Sequence, residues 1–198
     1  MMKNLFQILC GLFLVVSYSS CMHSEEDKVD VLIIGGGASG VTSGIQSARM
    51  GANTLILEES TWLGGMLTSA GVSAVDGNYR LPAGLWGEFK NRLSDYYGGL
   101  DSLKTGWVSN VLFEPSVGNK ILHEMVAAEN NLKVWKQACL EEVKRTGDEW
   151  VAKVKVEGQG VKTVRAKVMI DATELGDVAK MCGVKYDIGM ESRDDTHE

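Results

Sequence analysis

The residues of this chain best suited to chemistry are a set of glycines and one carboxylate. Gly35, Gly37 and Gly40 fall in the run Gly35-Gly36-Gly37-Ala38-Ser39-Gly40, directly behind the apolar stretch Val31-Leu32-Ile33-Ile34. An apolar stretch of that length reads as a buried parallel strand, and the residues after Gly40 read as a helix. The glycines therefore occupy a sharp turn from a strand into a helix N-terminus. Unpaired N–H groups and the positive end of the helix dipole make such a turn a site for a diphosphate. Gly35 serves the tight turn, Gly37 lets the backbone approach the diphosphate, and Gly40 lets helix and strand pack closely. Ser39, inside the run, joins them as a candidate contact. Glu58 closes the next strand-like segment, Thr54-Leu55-Ile56-Leu57, 18 residues after Gly40. A carboxylate there is what a nucleotide ribose requires. Glu58 would accept the ribose hydroxyls of NAD or of the AMP half of FAD, so this motif alone leaves both open.

The elements that must position these residues follow from the pattern around them. Strand (30–34), glycine turn, helix (38–50) and strand (53–58) form a βαβ opening. Ala38, Val41, Ile45 and Ala48 recur at three- and four-residue spacing, which places one helix face on the sheet. Residues 61–131 break the rhythm as an insertion rich in glycine and aromatics, expected to cover a ligand. It contains a helix over 83–97, with Leu85, Phe89 and Leu93 on one face, and a second over 115–129 that opens at Pro115. Strand-like pieces then follow at 132–137, 139–145, 149–156 and 161–165. Gly147-Asp148 and Gly158-Gln159-Gly160 supply turns, so the last three pieces read as an antiparallel meander. Lys167 to Ile170 reads as one more short buried strand, ending at Asp171-Ala172-Thr173-Glu174-Leu175-Gly176-Asp177, after which a short helix begins.

Taken together, Asp30–Gly44, Leu55–Glu58 and Trp62-Leu63-Gly64-Gly65-Met66-Leu67-Thr68 resemble the N-terminal part of FAD-dependent oxidoreductases of the glutathione-reductase-like fold class. Within that class the chain is similar to the broad group of FAD-dependent oxidoreductases, some exported members of which carry the label xanthan lyase. The resemblance covers about residues 30–190. It implies an α/β, Rossmann-like FAD-binding domain over 30–198, with a parallel central sheet and an antiparallel meander. It also implies that a substrate domain and a last strand–helix lie beyond this chain, so that the domain is incomplete at its C-terminus and the chain alone is not an active enzyme. The implied cofactor is FAD. Gly35, Gly37 and Gly40 would face its pyrophosphate and Glu58 its adenosine ribose, while Gly64 and Gly65 would run along the diphosphate toward the flavin. Ala172-Thr173 would lie near the first glycine turn, with Asp177 as a polar contact. The family pattern there is Ala-Thr-Gly, and Glu174 stands in place of that glycine.

The resemblance implies flavin-mediated redox of an unidentified, small-molecule or saccharide-derived substrate. The alternatives are a polysaccharide lyase and a noncatalytic nucleotide-binding surface lipoprotein. Disulfide reductases of the class carry a redox cysteine pair after the glycine pair. Met66 to Val72 holds no cysteine, and thiol–disulfide exchange needs a thiolate. No acid–base or nucleophilic set stands out; Asp76, Tyr79, Arg80 and Trp107 read first as surface or packing residues, as does Trp62. His23, His123 and His197 form no cluster, so no metal is expected.

The first twenty residues read as an export signal. Lys3 precedes Leu5 to Val16, apolar except for Gln7, and Ser19-Ser20-Cys21 resembles a bacterial lipoprotein cleavage site. Such a segment is too short to span a bilayer. Cleavage before Cys21 would put lipid on that cysteine, with 21–29 as a polar tether, and would anchor the chain in the bacterial envelope. Export without a twin arginine is of the unfolded type, so the cofactor would be acquired outside the cytoplasm. Losing residues 1–20 removes only Lys3 and leaves 19 basic against 26 acidic residues, a net charge of −7. Nucleic acid is therefore not an expected partner. Of the remaining cysteines, Cys139 and Cys182 read as small buried hydrophobes. In cells fed labelled palmitate, the chain should take up label and a Cys21→Ala variant should not; an unlabelled wild type would refute lipidation.

Overall fold

The computed structural model describes residues 26–77, 79–107 and 109–196. The expected signal, Cys21, His23 and His197 lie outside them. The chain opens with β1 (Glu26–Ile34), α1 (Ala38–Arg49) and β2 (Thr54–Glu58), the expected βαβ start. The insertion carries a 3-10 turn (Gly65–Leu67), α2 (Gly84–Tyr97), a second 3-10 turn (Leu100–Leu103) and α3 (Pro115–Ala127). Four strands follow: β3 (Leu132–Lys136), β4 (Ala138–Thr146), β5 (Glu149–Val156) and β6 (Gly160–Asp171). Short helices α4 (Asp177–Met181) and α5 (Arg193–Thr196) come last.

The six strands form a sheet of order β3-β2-β1-β6-β5-β4. Its β3, β2, β1 and β6 are parallel neighbours, while β6, β5 and β4 run antiparallel. The architecture is thus α/β with a parallel centre and a meander, as the sequence predicts.

Two strand assignments are corrected. First, β1 reaches back to Glu26, so strand replaces the polar tether expected up to residue 29. Glu26–Val29 pair with Thr163–Ala166, and Arg165 meets Glu26 at 2.9 Å while Lys167 meets Asp30 at 2.7 Å. Cross-strand ion pairs hold this stretch, which apolar periodicity does not reveal. Second, 161–165 and 167–170 are one continuous strand, and its second half is not fully buried: Val168 is 51% exposed. The strand changes partners midway. Its pairing with β5 ends at Ala166, opposite Trp150, whereas its pairing with β1 runs on to Asp171. Cys139 is also exposed rather than buried, since it alternates on β4 with Ala138 and Leu140, which join the core.

Two cores sandwich the parallel strands. Ile33 and Ile56 face the helices, packing with Val41, Ile45, Leu93 and Met125. Leu32, Ile34, Leu55 and Leu57 face the other way, against Ala152, Val154 and Val164 of the meander. Strands buried on both faces explain the unbroken apolar runs in the sequence. Gly44 brings α1 onto β2, because a Cβ there would press on Ile56 Cδ1 at 2.5 Å. Outside this contact Arg49 bridges Glu88 of α2 and Glu129 after α3, at 2.9 and 2.7 Å. Exposed pairs of this kind contribute about 0–1 kcal/mol each, so they align the helices more than they hold them. Ile56→Ala should lower unfolding free energy by about 2–5 kcal/mol in urea denaturation, whereas exposed Met50→Ala should change it by less than about 0.5 kcal/mol.

Candidate nucleotide site

β1, β2 and β6 end side by side because they run parallel, which brings Gly35, the Glu58 carboxylate and Ala172 to one edge of the sheet. Here the chain has gone from β1 outward to β2 and β3 and then crossed to the other side. Open α/β sheets bind ligands at the carboxyl ends of strands where the direction of winding changes. A cavity of about 310 Å³ lies at this place, walled by the Gly35–Gly37 turn, Glu58, Gly65 and Thr173.

The glycine turn is shaped by close backbone approach. Gly35 has φ +100°, and a Cβ there would overlap the Ala172 carbonyl. A Cβ on Gly40 would likewise overlap the Gly35 carbonyl oxygen, so Gly40 packs behind the turn as the spacing implies. Gly37 differs: a Cβ there would meet no atom within 4 Å, so the space in front of it is cavity. Gly37 is also the N-cap of α1, and no side chain caps that helix among the described residues. Val41 N–H closes the first helical turn onto Gly37 O at 2.9 Å. The N–H groups of Ala38, Ser39 and Gly40 are then left without an intrahelical acceptor, next to the positive end of the dipole. Of Ser39, only the backbone N–H is available to a ligand at this helix start; its side chain is exposed and does not line the cavity.

A second glycine pair completes the cradle. Gly64 N–H donates to Gly36 O at 2.8 Å, and Gly64 pairs with Gly37 as an isolated bridge. Gly64 itself is buried behind the cavity with φ +108°, while Gly65 lines it. A Cβ on Gly65 would stand only 3.1 Å from Gly37 Cα, so no side chain fits between the two segments. Thr68 Oγ1 donates to Leu63 O at 2.5 Å, and Leu63 N–H donates to Asn119 Oδ1 of α3 at 2.9 Å. Asn119 thus ties the insertion to the cradle, a role with no sequence signature because 56 residues separate the partners.

Glu58 is held by two backbone donors. Gly36 N–H reaches Oε2 at 2.8 Å and Ser60 N–H reaches Oε1 at 2.7 Å. Its carboxylate is thereby fixed beside the turn, able to accept further hydroxyl donors from the cavity. Glu59, Ala138 and Leu140 also line this wall. Ala138 and Leu140 carry no signal in the sequence because β4 meets β2 only through the tertiary fold, whereas Glu59 simply follows Glu58.

Asp171, at the end of β6, organises the opposite wall. Thr173 donates to it through Oγ1 at 2.6 Å and through N–H at 3.0 Å, and Ala179 N–H does so at 2.8 Å. Asp177 N–H in turn donates to Thr173 Oγ1 at 3.1 Å. The Thr173 hydroxyl is therefore spent on shaping the loop, while Asp177 presents an exposed carboxylate at the cavity. Asp76 and Trp107 lie outside this cavity, Trp107 being 99% exposed. Tyr79 and Arg80 line a separate cavity of about 540 Å³ in the insertion, together with Lys90 and Lys104.

Burial raises the Asp171 carboxyl, but hydrogen bonds from Thr173, Ala179 and Val178 outweigh it and hold its pKa below the usual carboxylate value. A carboxyl lowered in the folded state stabilises above its unfolded pKa, and that stability is lost as pH falls through the folded one. Because the group is partly solvated, Asp171→Asn should cost about 1 kcal/mol at neutral pH, and the difference from wild type should shrink below about pH 4. Urea denaturation at a series of pH values checks this.

The FAD dependent oxidoreductase family matches residues 30–198. No curated protein matches the chain significantly. Among solved structures, the fold is similar to a flavoprotein/dehydrogenase from Cytophaga hutchinsonii, with a TM-score of 0.61 and 19% identity over 83% of this chain and 44% of that one. It is also similar to p-nitrophenol 4-monooxygenase PnpA from Pseudomonas putida DLL-E4, with a TM-score of 0.53 and 15% identity over 81% of this chain and 45% of that one. A third is the anhydrotetracycline hydroxylase OxyS from Streptomyces rimosus, with a TM-score of 0.53 and 15% identity over 78% and 33%. At such identities the likeness is one of fold, and the chain spans less than half the length of each of these structures. Over residues 30–198 the chain belongs to the FAD dependent oxidoreductase family, and its nucleotide is FAD.

Proposed function

We propose that this chain is the FAD-binding portion of an oxidoreductase that passes electrons between an organic substrate and bound flavin. The observation that carries the reading is the convergence on one cavity of three independent features. These are the uncapped N-terminus of α1 behind the Gly35–Gly37 turn, the Gly37–Gly65 gap too narrow for a side chain, and the tethered Glu58 carboxylate. Each matches a different part of a dinucleotide: backbone N–H donors for the diphosphate, glycines for its close approach, and a carboxylate for ribose hydroxyls. Ala138 and Leu140 would flank the adenine, being the apolar part of the same wall. When bound, FAD supplies the electron-transfer chemistry. This chain's residues would bind it, aim it past Gly65 toward the insertion, and keep Glu58 fixed by the Gly36 and Ser60 amides.

The substrate side of this reading belongs to the insertion, and the fold does not name the substrate, since many proteins with unlike reactions share it. The proposal also places the protein in the bacterial envelope, held by lipid at Cys21. Its support is the order of Lys3, the apolar Leu5–Val16 stretch and Ser19-Ser20-Cys21. Among the described residues no helix is long and apolar enough to cross a membrane.

Gly37→Val offers a clean test, because the new side chain enters the cavity without striking protein at its Cβ and Gly37 has an ordinary φ of −65°. The variant should still fold in the absence of flavin, with a melting temperature a few degrees lower because valine is a poorer N-cap than glycine, and lose FAD binding by at least about tenfold, as followed by quenching of flavin fluorescence. Glu58→Ala should weaken binding by a similar factor, since it removes charge-assisted hydrogen bonds to the ribose. FAD affinity that is equal in all three proteins would refute the assignment of this cavity.

A further inference from the structure

The acidic character of the cradle has no counterpart in the requirements of an anionic cofactor. Glu58, Glu59, Glu174 and Asp177 all line the cavity, while Lys180 lines the adjoining cavity of about 480 Å³, which shares Glu59, Leu140, Thr173 and Asp177 with it. Glu58 has a role and two backbone donors. Glu174 has neither: its side chain makes no hydrogen bond or ion pair among the described residues, and it is solvent-exposed. Its position is nevertheless specific. Oε1 lies 3.4 Å from where a Gly65 Cβ would stand, and that same point is 3.1 Å from Gly37 Cα. The carboxylate therefore overlooks the Gly37–Gly65 gap, the part of the cavity nearest the free N–H groups of α1. A negative charge beside that gap opposes a second anion entering it.

We propose that Glu174 is a charge gate on the diphosphate cradle, weakening the hold on FAD by electrostatic opposition and turning outward when the cofactor enters. The proposal rests on the FAD reading of this cavity and adds the control of affinity at it. Gly176, with φ +69° just beyond Glu174, and the hydrogen bonds of Asp171 and Thr173 fix the loop on either side. Rotation of the Glu174 side chain alone can then open the gate, without moving β6 or α4. Glu174 is thereby an affinity-determining residue rather than a packing one, since nothing in the fold leans on its side chain.

Titration of the full chain with FAD, for wild type and for the nearly isosteric Glu174→Gln, tests this. The variant removes the charge and keeps the shape, and the exposed position means that it should fold normally, as a thermal melt without FAD would show. Glu174→Gln should bind FAD about tenfold more tightly at low salt, and the advantage should shrink as ionic strength rises from about 0.05 to about 0.5 M, because screening shortens the reach of the repulsion. Equal affinities at low salt, weaker binding by the variant, or an advantage that salt leaves untouched would each overturn the gate. Failure of both proteins to bind FAD at any salt concentration would instead overturn the cofactor assignment and the gate with it.

Discussion

The whole site depends on one backbone contact, the seating of the Ile34–Gly35 turn against the end of β6. Ala172 N–H donates to the Ile34 carbonyl at 2.8 Å, and Gly35 approaches the Ala172 carbonyl so closely that any side chain would collide with it. This closeness carries the parallel pairing of β1 and β6 one step beyond the sheet. It sets where α1 begins, and hence where its free N–H groups point. It also decides which residues after β6 can reach the cavity. Asp171, one residue before the contact, gathers the amides of Thr173 and Ala179 so that the following loop folds back over the turn.

From that contact the two halves of the cradle acquire different electrostatics. The helix side offers donors and a positive dipole end; the loop side offers Glu174 and Asp177. On the proposed reading a diphosphate would be drawn chiefly by oriented backbone donors, so each nearby carboxylate would bear directly on its binding. The meander contributes Ala138 and Leu140 of β4, which stand beside Glu58 on one wall of the cavity, and its Val154 and Val164 pack on Leu32 and Leu55 behind that wall.

Much of this architecture is legible in the residues themselves. The βαβ opening, both insertion helices and the meander follow from periodicity and turn residues, since each is specified by contacts close in sequence. The parts that were misread are held by distant partners. Glu26–Val29 look like a polar tether because their strand is fastened by β6, some 137 residues on, through ion pairs with Arg165 and Lys167. The two strand pieces at 161–165 and 167–170 look separate because the burial of β6 changes where β5 leaves it. Asn119 and Asp171 carry no motif, as their partners are chosen by the fold.

The sequence by itself determined the cofactor class: three spaced glycines after an apolar strand and an acidic end to the next strand admit few ligands other than a dinucleotide. Local backbone geometry and a helix dipole are properties of contiguous residues, so they can be read without a fold. Only the tertiary structure decided how Gly37, Gly65 and Glu174 meet. They come from three segments separated by 28 and 109 positions, and their spacing is set by the packing of strands and insertion, not by any local preference. That meeting sets an exposed glutamate beside the gap between the two glycine segments.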